Sequence, residues 1–133
     1  MELPDGFEFG CIETDDELEE LVKFHSIVHP EDGTEELPRQ IAHLPGFGRE
    51  MNYYIRDLNN GQIVTALNSI PSTWNYEDIP LRNLELGWVG TLKEYRRRGL
   101  NKLLFTHFDN LLHSYPYDIS TIQGIPYYYR QFG

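Results

Sequence analysis

The sequence has one cysteine, no long apolar run and few basic residues. Cys11 is the only cysteine among 133 residues, which excludes an internal disulfide and fits a reducing cytoplasm. No stretch approaches the roughly 18 consecutive apolar residues of a membrane-spanning helix. We therefore expect a cytoplasmic protein of one domain, residues 1–133, that does not cross a membrane.

Positive charge is scarce overall and concentrated in one place. Eleven basic residues stand against 21 acidic ones, and the net charge of −10 argues against general nucleic-acid binding. Between Met1 and Glu36 the only lysine or arginine is Lys23. The basic cluster, a local positive patch that indicates a specific small anion, consists of Lys93, Arg96, Arg97, Arg98 and Lys102. The acidic remainder would suit a cationic amine acceptor, or it serves solubility alone.

Hydrophobic periodicity predicts an α+β domain in the order β-α-α-β-β-β-α-β-α. Thr14 and Glu17 form the pattern of a capping box, and Pro71–Pro80 is predicted to be a polar loop. The predicted strands are Phe7–Ile12, Met51–Asp57, Gln62–Ile70, Leu84–Val89 and Tyr117–Ile122. The predicted helices are Thr14–Val28, Thr34–Leu44, one that follows Gly99, and Gly124–Phe132.

The stretch Leu84–Leu104 combines a strand, a basic turn and a helix. The strand ends near Val89, the turn contains the three arginines and Gly99, and apolar residues then recur every three or four positions from Leu100. A helix N-terminus offers unpaired backbone N–H groups and the positive end of the helix dipole. The stretch therefore predicts a phosphate site, although an ordinary charged turn would look similar.

The full pattern, Val89-x-Thr91 followed by Glu94-Tyr95-Arg96-x-x-Gly99-Leu100, resembles the acetyl-CoA motif of the GNAT acyltransferase superfamily. That motif reads Arg/Gln-x-x-Gly-x-Gly/Ala, and Asn101 departs from its last position, where it would crowd the pyrophosphate or donate a hydrogen bond to it. The resemblance implies the GNAT fold, acetyl-CoA as co-substrate, direct transfer to an amine and no metal. The cofactor-binding residues that it implies are Val89, Thr91, Arg96, Arg97, Arg98, Gly99, Leu100 and Asn101.

The run Gly124–Gly133 resembles the family's fourth-helix signature. Tyr129 aligns with the tyrosine that many members use as general acid, and the alternative is that it only packs or contacts pantetheine. The run also resembles the enhanced-intracellular-survival acetyltransferases, in which further domains follow and the terminal carboxylate helps catalysis. Family members usually continue with two more strands, so we expect a truncated domain whose last strand is an exposed edge. Such an edge predicts either a homodimer formed through it or poor solubility of the chain.

Glu85 is the candidate general base, because its offset of eleven positions before Arg96 matches the base of the histone-acetyltransferase branch. Simple alternation places Glu85, Gly87 and Val89 on one face, with space for a substrate beside Gly87. The alternative is a structural glutamate paired with Arg82 or Arg56. His25 and His29 have helical metal-ligand spacing, but no carboxylate pattern accompanies them, so we expect no metal.

Two function classes remain from the sequence. The first is an enzyme that transfers an acetyl group from acetyl-CoA to an unidentified amine. The second is a non-catalytic module that binds CoA, or only shares the fold, within a larger protein. A nucleotide-binding protein of another fold is disfavoured, because neither a Walker A nor a Gly-x-Gly-x-x-Gly pattern is present.

Overall fold

A computed structural model of the chain describes residues 3–30 and 33–122. Its strands are β1 (Phe7–Cys11), β2 (Asn52–Asp57), β3 (Gln62–Tyr76), β4 (Ile79–Thr91) and β5 (Ile119–Ile122). Its α-helices are α1 (Asp15–Val28), α2 (Leu37–His43) and α3 (Leu100–Ser114). The element order confirms the predicted α+β fold class as far as β5, and the predicted helix Gly124–Phe132 lies outside the described residues.

The five strands form one mixed sheet in the order β1-β2-β3-β4-β5. The first three pairings are antiparallel, whereas β4 and β5 are parallel, with Asn83–Leu86 beside Ile119–Ile122. The predicted parallel contact between these two strands is confirmed. That the strands diverge beyond Leu86 and Ile122 stays a prediction, because the described part of β5 ends there.

Helices cover both faces of the sheet. Helix α3 buries Leu100, Leu104 and Phe108, which lie four residues apart on one stripe. On the other face, α1 begins at the predicted capping box of Thr14 and Glu17 and buries Leu21, Phe24 and His25. No described helix is long and apolar enough to cross a membrane.

The predicted Pro71–Pro80 loop is wrong, because these residues extend a hairpin. Strand β3 continues to Tyr76, and a turn at Glu77 and Asp78, with φ of 48° and 67°, leads directly into β4. Both turn residues have positive φ, as a two-residue hairpin turn requires. Pro71 and Pro80 led to the prediction of a loop, whereas this segment forms two paired strands. Their cross-strand pairs include Trp74 with Leu81 and Tyr76 with Ile79.

Other boundaries moved by a few residues. The predicted strand Tyr117–Ile122 begins at Ile119, two residues later than expected. The chain already contacts β4 one residue before the strand begins, because the Asp118 N–H donates to the Arg82 carbonyl at 2.8 Å. The predicted helix Thr34–Leu44 is a short 3-10 turn followed by α2.

Candidate functional site

A β-bulge in β4 sets the geometry of the site. Leu67 pairs with Val89 and Ser69 pairs with Leu86, so Asn68 alone faces two residues, Gly87 and Trp88. The Asn68 side chain accepts a hydrogen bond from the Trp88 backbone N–H at 2.8 Å. The bulge therefore inserts one extra residue into β4 just before the motif that begins at Val89.

The bulge overturns the face assignment made from simple alternation. Leu67 and Ser69 lie on one face, so their partners Leu86 and Val89 share that face, which α3 covers. Trp88 contacts His25 and His29 of the α1 side, with ring centroids 5.7 and 5.8 Å away. Val89 is therefore on the opposite face from Glu85, and the prediction that both share a face is wrong.

The backbone of Val89 and Thr91 points away from β3. Leu92 N–H donates to the Val64 carbonyl at 2.8 Å, and this fixes which residues of the ladder are hydrogen-bonded pairs. Pairs 64–92 and 66–90 face each other through hydrogen bonds, so Val89 and Thr91, opposite Leu67 and Thr65, direct their N–H and C=O groups outward. This outward edge of β4 lies beyond the residues that pair with β5.

Two side chains bind carbonyls on this outward edge. The Nε2 atom of His29 lies 2.7 Å from the Val89 carbonyl oxygen, and the Arg96 Nε–H donates to the Thr91 carbonyl at 3.3 Å. A carbonyl oxygen only accepts, so His29 must carry its ring hydrogen on Nε2. The edge is thereby fixed from the α1 side and from the basic turn at the same time.

The basic turn between β4 and α3 contains two residues in the left-handed region of backbone conformation. Arg97 and Gly99 have positive φ, 65° and 76°, on either side of Arg98. Left-handed residues in such a turn direct successive N–H groups toward a common point, which suits an anion. The described structure gives α3 no side-chain N-cap, and a Cβ built on Gly99 meets no heavy atom within 4 Å. No described residue therefore occupies the space beside Gly99 at this helix end.

Tyr95 ties the basic turn to the sheet. Its hydroxyl donates to Asp57 Oδ2 at 2.7 Å and accepts from the Asn60 amide at 3.1 Å. This hydrogen bond lowers the pKa of Asp57 and raises that of Tyr95, so the proton stays on the phenol. The Arg98 guanidinium lies over the Tyr95 ring, 4.9 Å from its centroid. The turn is thus held against the β2–β3 hairpin.

Glu85 is half-buried on the face that α1 and α2 share, opposite Ile70 and beside Thr121. Neither proposed structural partner reaches it. Arg56 forms a two-pronged ion pair with Glu20, at 2.7 and 3.0 Å, and Arg82 lies an odd number of residues from Glu85, on the opposite face. Within residues 3–30 and 33–122, Glu85 has no hydrogen-bonded or ionic side-chain partner.

The space expected beside Gly87 is filled. A Cβ at Gly87 would overlap the Asn68 side-chain oxygen, so the missing side chain makes room for Asn68 and not for a substrate. Asn68 also donates to the Asn52 side-chain oxygen at 3.1 Å, and Asn52 donates to the Gly48 carbonyl at 3.2 Å. The prediction of substrate space at Gly87 is therefore wrong.

The described structure brings the predicted cofactor residues together as one edge and one turn, with Leu100 buried in the first turn of α3. Tyr129 lies outside the described residues, and its role stays a prediction. The contacts of Asn68, His29 and Tyr95 were not predicted from the sequence, which suggested His29 only as a metal ligand paired with His25. Tyr95 stood within the quoted motif, whereas the other two depend on contacts between distant segments. His25 is 1% exposed, and burial, with a smaller effect of His29, lowers its pKa to about 3.

Solved structures with the same fold include acyltransferases of several kinds. Yeast (Saccharomyces cerevisiae) N-myristoyltransferase with bound myristoyl-CoA is 17% identical, with a TM-score of 0.72, over 85% of this chain and 29% of its own. A probable N-acyltransferase from Enterococcus faecalis V583 is 15% identical, with a TM-score of 0.76, over 94% and 31%. Glucosamine-6-phosphate N-acetyltransferase from Arabidopsis thaliana is 13% identical, with a TM-score of 0.71, over 96% and 90%.

The chain spans less than a third of the length of the first two of these structures. A search of curated proteins found no match. The family profile described as "Acetyltransferase (GNAT) domain" matches residues 13–133, which is most of the chain. At the identities above, the solved structures support the fold alone, whereas the profile match extends across both motifs. The chain belongs to the GNAT acetyltransferase family.

Proposed function

We propose that this chain binds acetyl-CoA and transfers its acetyl group directly to an amine. The proposal rests mainly on one observation: the outward edge of β4 is followed in the chain by the N-terminus of α3, which has no side-chain N-cap. An extended backbone edge at Val89 and Thr91 leads straight to a basic turn that is open at Gly99. One end suits the amides of a pantetheine arm, and the other suits a pyrophosphate.

In this proposal, each part of acetyl-CoA binds a different segment of the chain. The pyrophosphate accepts hydrogen bonds from the backbone N–H groups of residues 97–101, and the arginines of the turn supply positive charge. The pantetheine arm lies along the outward edge. The thioester carbonyl accepts from the Val89 N–H, which stabilises the oxyanion that forms when the amine attacks.

The chemistry needs one base and one acid. Glu85 takes the proton from the ammonium group of the acceptor, because only the free amine has a lone pair for attack on the carbonyl carbon. As the carbon–sulfur bond breaks, Tyr129 protonates the leaving thiolate, and the proton that the nitrogen loses on becoming an amide restores the phenol. Glu85 is half-buried and has no ionic partner among residues 3–30 and 33–122, which supports its assignment as a base over a structural role. Holding both reactants contributes orientation, and no covalent intermediate is required.

Acetyl-CoA titration followed by calorimetry, together with thiol release in the presence of a panel of amines, tests the proposal. We expect binding, and thiol release that at least one amine accelerates. Binding without amine-dependent release would favour the non-catalytic CoA-binding module. If acetyl-CoA does not bind, both the enzyme and the module are refuted, and only the shared fold remains.

A further inference from the structure

We propose that Asn68 and His29 are positioning residues that aim the Val89 backbone N–H at the thioester carbonyl. This inference rests on the proposed function, in which that N–H stabilises the oxyanion. It adds two side chains, from β3 and from the end of α1, that never touch the reacting atoms. Both act on the peptide groups that flank the Val89 N–H.

Asn68 fixes the peptide group before the one that carries this N–H. Its side-chain oxygen accepts from the Trp88 N–H at 2.8 Å, and its amide donates to Asn52 at 3.1 Å. Asn68 is 0% exposed and Asn52 is 1% exposed, so water does not compete for either bond. The absent side chain of Gly87 is what allows Asn68 to reach this position.

His29 fixes the peptide group after it. Its Nε2–H donates to the Val89 carbonyl at 2.7 Å, which is the oxygen of the Val89–Gly90 peptide. Gly90 gives the α1 end room to approach, since a Cβ there would overlap Val28 and lie 3.3 Å from His29 Nε2. His29 therefore sets the direction of the outward edge immediately after Val89.

The peptide between these two groups carries the Val89 N–H. A β-bulge interrupts the regular ladder, so strand pairing alone holds this peptide less firmly than the rest of β4. Asn68 binds the peptide group before it and His29 binds the peptide group after it. The Val89 N–H is therefore held in one orientation before substrate binds. Such preorganisation affects the transition state more than binding, because the oxyanion accepts a stronger hydrogen bond than the ground-state thioester does.

A matched pair of variants isolates the His29 hydrogen bond. In His29→Gln the side-chain amide nitrogen reaches about where Nε2 lies and still donates, whereas His29→Met has a similar length and no donor. We expect His29→Met to lower kcat by about tenfold, a fraction of the ~10²–10³-fold cost of losing an oxyanion donor entirely. KM for acetyl-CoA should stay near the wild-type value, and His29→Gln should restore most of kcat.

Gly87→Ala tests the Asn68 contact without changing Asn68. Gly87 is not among the positive-φ glycines, so alanine strains no torsion there, but its Cβ would push the Asn68 oxygen away from the Trp88 N–H. We expect the same loss of kcat at constant KM. Thermal unfolding of each variant checks that the fold is intact.

A spectroscopic readout separates this inference from the proposed function. The infrared carbonyl stretch of bound, ¹³C-labelled acetyl-CoA should shift to lower frequency in the wild type, less so in His29→Met and Gly87→Ala, and again fully in His29→Gln. Unchanged kcat and carbonyl shift in the folded Met and Ala variants would overturn the positioning roles while leaving the function intact. If the wild-type protein does not bind acetyl-CoA, the proposed function is refuted together with the positioning roles. The wild-type titration alone gives that result.

Discussion

A negative charge placed at Gly99 should weaken acetyl-CoA binding in a way that a neutral residue of the same shape does not. Gly99 is the N-cap residue of α3 and has a φ of 76°, a conformation that asparagine and aspartate tolerate better than other side chains. A Cβ at Gly99 meets no heavy atom of residues 3–30 and 33–122 within 4 Å. The pair Gly99→Asp and Gly99→Asn therefore shares any backbone strain and differs only in charge.

The magnitude follows from Coulomb's law. With a carboxylate about 5 Å from the nearer phosphate and an effective dielectric constant of about 20, the repulsion is about 3 kcal/mol, or about two orders of magnitude in Kd. Salt should reduce this difference, because the Debye length falls from about 10 Å at 0.1 M to about 3 Å at 1 M. The asparagine variant should bind within a few-fold of wild type at both concentrations.

Calorimetric titration of both variants with acetyl-CoA, at low and high salt, measures the effect. A Kd for Gly99→Asp equal to that of Gly99→Asn at low salt would refute the pyrophosphate site at this helix end. A large difference in Kd between the two variants that is the same at low and high salt would also contradict the prediction, because it would indicate a local rearrangement and not charge repulsion.

Four further variants test the roles of single side chains. Tyr129→Phe should lower kcat by about 10²–10⁴-fold with little change in acetyl-CoA affinity, as measured by thiol release, because it removes only the acid; full activity would assign the acid elsewhere. Glu85→Gln should lower kcat at neutral pH and recover in part at high pH, where more amine is free, and an unchanged pH–rate profile would exclude Glu85 as the base. Tyr95→Phe should raise KM for acetyl-CoA more than it lowers kcat, since it loosens the basic turn and not the thioester end; a pure kcat effect would contradict the anchoring role. His25→Phe should make the free energy of unfolding less sensitive to acid. Burial lowers the His25 pKa to about 3 in the folded state, so below pH 6.5 the unfolded chain binds more protons than the folded one. The free energy of unfolding of the wild type should therefore fall by about 2 kcal/mol between pH 7 and pH 5 through this residue, a loss that the variant does not have. Urea unfolding at both pH values measures this, and equal losses in the two proteins would refute it.

What the sequence predicted well was local in the chain. The capping box of Thr14 and Glu17 spans four residues, and the strand–turn–helix around Gly99 spans about twenty, so the pattern and its physical cause lie in the same window. The Pro71–Pro80 hairpin was missed because proline and polar residues usually mark a loop. Its pairing depends on the partner strand, which places Trp74 opposite Leu81.

The errors at the site came from contacts that no local pattern contains. Alternation assumes an unbroken strand, and the bulge opposite Asn68 shifted every face assignment after Gly87. Arg56 was considered a partner for Glu85, but Glu20 on α1 binds it with two hydrogen bonds. Asn68 and His29 are far from β4 in sequence, and only the folded chain brings them to Val89.

Gly87 and Gly99 differ in what surrounds them, and this difference separates the two ends of the proposed cofactor site. Gly87 lacks a side chain because Asn68 fills the space, and Asn68 binds the Trp88 N–H of the β4 bulge, the contact to which we assign the positioning of Val89. Gly99 lacks one where no described residue fills the space, and the proposed anion site lies at this turn. Between them, the outward groups of Val89 and Thr91 are set by side chains from α1 and from the turn. Rigid backbone at the thioester end favours the transition state, and open backbone at the phosphate end favours binding. Variants at the first end should therefore change kcat, and variants at the second should change affinity.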